Sequence, residues 1–111
     1  AHRMGIARAK EIVLLNKTLT AQEAMDCGLY NWVVPADQLQ AEAKKIAGQL
    51  ASGPTVAHGF AKKALRDALR MPFDAFMDIE ALSMAFLITT ADQQEGLKAF
   101  AEKRDPVFSG R

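Results

Sequence analysis

Asp92-Gln93-Gln94-Glu95-Gly96-Leu97-Lys98-Ala99-Phe100-Ala101-Glu102-Lys103-Arg104-Asp105-Pro106-Val107-Phe108-Ser109-Gly110-Arg111 closes the chain. It opens with acids and turns basic at Lys103 and Arg104, the charge order that complements a helix dipole. Pro106 predicts the stop, because it holds Asp105 extended and has no N–H to give. Gly96 falls inside the predicted helix, where it costs about 1 kcal/mol relative to alanine. Such a cost predicts a close approach by another backbone or a ligand. Val107 and Phe108 then offer apolar side chains on a segment too short to bury them. The stretch reads as an element that closes over something else.

Working outward, 111 residues set a limit of one domain with a modest core. Half of the residues are hydrophobic and 24% are charged, a globular rather than a disordered composition. Fourteen Lys and Arg against thirteen Asp and Glu leave a net charge of +1, without the basic excess of a nucleic-acid binder. The single cysteine, Cys27, permits no internal disulfide and fits a reducing compartment. It precedes Gly28 in a short apolar helix with no histidine near it in sequence, so it reads as a small buried hydrophobe. The run Ala81 to Ile88 is far shorter than the roughly 20 residues that span a bilayer, and no signal peptide is visible. The chain begins at Ala1 on the approach to a helix, which predicts a start inside a longer protein.

Gly5 to Leu15 predicts a short helix with Ile6, Ala9, Ile12 and Val13 on one face, ended by Asn16 and Lys17. Thr20-Ala21-Gln22-Glu23 is a capping box that opens a second helix, and Gly28 ends it. Leu29 to Val34 is rich in aromatic and β-branched residues, reads as a strand, and is closed by Pro35. No second strand is readable anywhere. The segment is therefore either an extended connector against helices or a strand whose partner lies elsewhere.

From Asp37, a plausible N-cap, the pattern is helical. Leu39, Ala43, Ile46 and Leu50 repeat at helical spacing up to Ser52-Gly53. Pro54 to Arg70 is the next helix, with Val56, Phe60 and Ala64 inward and Lys62, Arg66 and Arg70 in a basic stripe, read as a solvated surface. Phe73 to Thr89 is a long helix whose stripe of Phe73, Phe76, Met77, Met84, Leu87 and Ile88 is widened by Ile79, Leu82 and Phe86. A helix apolar on most sides is covered on most sides, by another subunit or domain. Thr90 and Gln93 form a second capping box ahead of the final helix. The fold class is mainly α: five to six helices and one short strand-like segment.

The familiar catalytic constellations are missing. His2 and His58 have no ligand spacing to each other or to Cys27, so no metal site is expected. Neither a phosphate-binding glycine loop nor a nucleophile elbow occurs.

Several segments taken in order resemble the C-terminal part of the enoyl-CoA hydratase/isomerase (crotonase) family. They are Ala7-Arg8-Ala9-Lys10-Glu11 leading to Leu19-Thr20-Ala21-Gln22-Glu23-Ala24, and then Gly28-Leu29-Tyr30-Asn31-Trp32-Val33-Val34-Pro35. The ending adds Glu95-Gly96, Ala99-Phe100, Glu102-Lys103-Arg104, Pro106, Phe108 and Gly110-Arg111. The resemblance implies that residues 1–111 are the C-terminal helical domain of a crotonase-like α/β protein of twice this length or more, its N-terminal spiral domain absent. It implies an acyl-CoA substrate, with coenzyme A entering as part of that substrate and no separate cofactor, in fatty-acid or related acyl-CoA metabolism. It also implies a cytoplasmic homo-oligomer, a trimer or a dimer of trimers, with no membrane or nucleic-acid partner. The family's oxyanion hole and catalytic carboxylates belong upstream of Ala1, so no catalytic residue is assigned here and the isolated chain is expected to be inactive. The resemblance assigns coenzyme binding to Lys103, at the adenine and phosphate end, and to Phe100, which could pack on the adenine. The plainer readings are a cation at a helix C-terminus for Lys103 and a core anchor for Phe100. Met84 departs from the family, which often carries an aromatic residue there.

Two other readings compete. A free-standing helical module would self-associate through Phe73 to Ile88. A decarboxylase, hydrolase or dehalogenase of the same fold would share this half and differ upstream.

Overall fold

The computed structural model describes all residues from 1 to 111. Six α-helices follow in order: α1 Ile6–Leu14, α2 Ala21–Asp26, α3 Leu39–Ala51, α4 Thr55–Asp67, α5 Phe73–Leu87 and α6 Ala91–Glu102. The chain divides into two compact units, residues 1–42 and 43–111.

Three helices end the same way. The N–H of Lys17 donates to the Ile12 carbonyl (2.9 Å), that of Leu29 to Ala24 (2.8 Å), and that of Arg104 to Ala99 (3.1 Å). Each bond spans a residue in the left-handed region: Asn16 (φ 48°), Gly28 (φ 80°) and Lys103 (φ 52°). This is the Schellman arrangement, which satisfies the last carbonyls of a helix and normally favours glycine. α6 therefore ends at Glu102, three residues before Asp105. Lys103 and Arg104 lie at and beyond its cap rather than in its last turn, and Pro106 is not what stops it.

At the N-termini, the Thr20 box forms in full. The Thr20 hydroxyl accepts from the Glu23 N–H (3.2 Å) while the Glu23 carboxylate accepts from the Thr20 N–H (2.9 Å). At α6 only half forms: Thr90 Oγ1 accepts from the Gln93 N–H (3.2 Å). Asp37 is not an N-cap. It lies in a 3₁₀ turn, Ala36–Gln38, that leads into α3. Leu29 to Val34 joins no ladder and runs as irregular backbone between α2 and that turn, the connector alternative read from the sequence.

In the first unit, Arg3 closes the N-terminal turn onto this connector. Its guanidinium donates to the Leu29 carbonyl and to Asn31 Oδ1 (3.2 Å). A cavity of about 580 Å³ lies beside Tyr30, Trp32, Val33 and Leu39. In the second unit α4 packs on α5, with the Phe60 and Phe86 rings 5.3 Å apart. Val56 of α4, Leu87 of α5, Gly96 of α6 and Phe108 of the tail converge around a cavity of about 290 Å³.

Little of the apolar surface is enclosed. Ala24 and Ala99 are the buried hydrophobic residues, and no large side chain is fully buried. The stripe predicted for α5 is largely open: Phe73 is 74% exposed and Leu82 72%.

Gly96 has a neighbour of a different kind from the one its cost predicted. A Cβ there would meet Cε1 of the Phe108 ring at 3.8 Å, an ordinary contact, so the approaching group is this chain's own tail. Gly110 is tighter, with φ 74° and a Cβ position 2.6 Å from Thr55 Oγ1. Gly96→Ala should therefore stabilise the second unit by about 0.5–1 kcal/mol through helix propensity. Gly110→Ala should destabilise it by about 1 kcal/mol or more through left-handed strain and the clash. Paired thermal-unfolding midpoints check both signs.

Candidate functional site

The two residues assigned by resemblance stand together at the C-terminal end of α6. Phe100 is 86% exposed, so it is no core anchor within this chain. Lys103 is exposed and forms the left-handed cap, its N–H donating to the Phe100 carbonyl (3.2 Å). They are three residues apart in sequence, Phe100 in the last turn of α6 and Lys103 at the left-handed cap that follows it. The Lys103 ammonium enters none of the ion pairs formed by its neighbours.

What fixes this end is a clasp between α6 and the tail. Asp92, only 4% exposed, accepts from the Ser109 N–H (2.6 Å), the Ser109 hydroxyl (3.2 Å) and the Gly110 N–H (2.9 Å). Its own N–H donates to the Arg111 carbonyl (3.0 Å). One turn on, Glu95 receives both terminal nitrogens of Arg104, Nη1 to Oε1 at 2.6 Å and Nη2 to Oε2 at 3.0 Å. The Val107 N–H also donates to Glu95 (2.9 Å). Arg104 Nε reaches Glu102 (2.6 Å), so the guanidinium is held from two sides. The Arg104 guanidinium and then the Val107 N–H hold the Glu95 carboxyl down at about 2.

Sequence reasoning named Lys103 and Phe100 by resemblance and did not name Asp92, Glu95 and Arg104 as a unit. Asp92 and Glu95 are one helical turn apart, which is a readable signal. Their partners are not, because they arrive only after the chain reverses at Lys103.

Elsewhere the polar residues serve the fold. His58 is half-buried and fills the space over Gly53, where a Cβ would lie 2.5 Å from its Cε1. The basic side of α4 partly neutralises itself, since Lys63 (2.6 Å) and Arg66 (3.1 Å) both pair with Asp67. Cys27 is half-buried, and its thiol donates to the Ala24 carbonyl (3.4 Å). No three His, Cys, Asp or Glu side chains are grouped so as to hold a metal ion. No helix is long and apolar enough to cross a membrane. An apolar groove of about 300 Å³ opens between α4 and α5, beside Phe60, Phe76, Ile79 and Met84.

The sequence model of the enoyl-CoA hydratase/isomerase family matches residues 1–111. The chain is 36% identical over 105 residues to a crotonyl-CoA hydratase of Syntrophomonas wolfei, covering 95% of this chain and 40% of that protein. It is 35% identical over 107 residues to a 1,2-epoxyphenylacetyl-CoA isomerase of Escherichia coli, covering 96% and 41%. Among solved structures, an enoyl-CoA hydratase of Bacillus anthracis superposes with a TM-score of 0.91 at 34% identity, over 99% of this chain and 43% of that one. The chain thus spans about two fifths of the length of the relatives it matches.

A carboxylate held below its ordinary value contributes stability above that value and loses it as pH falls towards about 2. The stability that Glu95 contributes should be complete above about pH 5 and decline between 4.5 and about 2, where the carboxyl itself protonates and the clasp is released. A carboxyl-carbon NMR titration of Glu95 should find its midpoint near 2; a midpoint at the ordinary value would mean that the Arg104 pair does not hold.

Proposed function

This chain belongs to the enoyl-CoA hydratase/isomerase family, and we propose that it is the C-terminal segment of an acyl-CoA hydratase or isomerase that binds coenzyme A and mediates assembly. The observation that carries the coenzyme reading is the pairing, at one helix end, of an 86% exposed Phe100 with a Lys103 free of ion pairs. An aromatic face offers stacking to an adenine, and a mobile ammonium suits a phosphate. An exposed Phe leaves apolar surface unsatisfied until something covers it. Coenzyme A is here the handle of the substrate, and no separate cofactor is invoked.

The assembly reading rests on α5, whose apolar side chains face outward on much of its surface. A homo-oligomer, a trimer or a dimer of trimers, would cover them. Catalytic groups are assigned to the part of the protein beyond this segment: the two carboxylates that line one cavity here, Glu23 and Asp26, are taken up by local bonds from Thr20 and Gln22. By this reading the chain alone is inactive. Relatives named for hydration and for isomerisation are almost equally similar, at 36% and 35% identity. The proposal therefore stops at chemistry on acyl-CoA thioesters. A reducing compartment, the cytoplasm, suits the free Cys27 thiol.

Lys103→Gly is the discriminating variant, because glycine accepts the left-handed cap (φ 52°) while the ammonium is lost. In the full-length enzyme it should raise KM for acyl-CoA about tenfold and leave kcat within about twofold, the pattern of lost uniform binding. An unchanged KM would remove Lys103 from the site. The purified 111-residue chain should not hydrate crotonyl-CoA, and measurable turnover would place catalytic groups within it.

A further inference from the structure

Lys103 is the last residue before the chain reverses, and it has no ion pair to fix its direction. What defines the reversal is its immediate neighbour. The Arg104 N–H closes the turn on the Ala99 carbonyl (3.1 Å), and Ala99 is the most deeply buried hydrophobic residue, at 1% exposure. The Arg104 guanidinium is then forked onto Glu95 by two bonds and braced by Glu102. Glu95 also takes the Val107 N–H, so one carboxylate grips the chain on both sides of Asp105 and Pro106. The Asp92 bonds hold the end of the tail, and the grip of Glu95 holds the residues next to Lys103, whose left-handed conformation is costly for a side chain. A planar fork on a carboxylate is directional in a way that a lone ammonium contact is not.

We propose that Glu95, through its two-point hold on Arg104, is a positioning residue that aims Lys103 at the phosphate end of the acyl-CoA substrate. This rests on the coenzyme reading above and deepens it. Glu95 touches no substrate in this account. It limits the directions that Lys103 can take, so its loss is felt as weaker coenzyme binding rather than as slower chemistry.

The test uses the full-length enzyme and two substrates with the same acyl group, one the CoA thioester and the other an N-acetylcysteamine thioester that lacks the nucleotide end. Glu95→Gln keeps the size of the side chain and an oxygen for Val107 but gives up the charge-assisted fork. It should raise KM for the CoA thioester about threefold to tenfold with kcat within about twofold. Turnover of the short thioester should be unchanged. Because Glu95 acts through Lys103, adding Glu95→Gln to Lys103→Gly should raise KM no further. Arg104→Lys, which keeps the charge and loses the fork, should reproduce the Glu95→Gln result and guards against one variant misfolding. Equal losses on both substrates, additive effects in the double variant, or an unchanged KM in both Glu95→Gln and Arg104→Lys would overturn the proposal. If Lys103→Gly itself leaves KM unchanged, the coenzyme reading fails instead. The two failures are thereby separable.

Discussion

A buried carboxylate with no cation beside it organises the end of this chain. Asp92 is 4% exposed, and its stabilisation comes from three donors on the tail and from its position in the first turn of α6. Burying a charge without such bonds would cost several kcal/mol, so the tail must lie where Ser109 and Gly110 can reach it. Once it does, Phe108 falls over Gly96, Val107 and Arg104 fall on Glu95, and the reversal at Lys103 is defined. The placement of Lys103 follows from this sequence of constraints.

The same economy does not extend to the apolar surface. Phe60 and Phe86 hold α4 against α5, yet Phe73, Leu82, Phe100 and Val107 remain exposed. A self-contained domain of this size would enclose its larger hydrophobic side chains. The polar framework of caps, Schellman turns and the clasp specifies backbone geometry locally, without a deep core. Stability at that level comes from local bonds, and the open faces retain the capacity to pack on another surface.

Much of the backbone was legible in the residues, for reasons that are local. Thr20 with Glu23, and Gly28, act within a few residues of themselves, and the structure places the two ends of α2 there. Leu29 to Val34 stayed open between a strand and a connector because β-branched and aromatic residues satisfy a strand pattern while a ladder needs a partner that sequence periodicity does not supply, and the structure has the connector. Asp37 misled because a 3₁₀ turn intervenes before α3. The end of α6 misled for a physical reason too: Pro106 is an obvious breaker, but Lys103 had already ended the helix in a conformation that charged residues rarely adopt. The residues of the candidate site came from motif resemblance. Their mechanical support, Asp92, Glu95 and Arg104, emerged only with the fold, because it joins residues 9 to 18 positions apart across a reversal.

The central claim is that the Asp92 carboxylate holds the tail on α6. Amide hydrogen exchange at Ser109 and Gly110, in the protein that carries this chain, tests it most directly. Both amides should be protected, and Asp92→Ala should cut that protection at least about tenfold while leaving the amides of α4 unaffected. Free exchange at Ser109 and Gly110 in the unaltered protein, or protection that survives Asp92→Ala, would contradict the account.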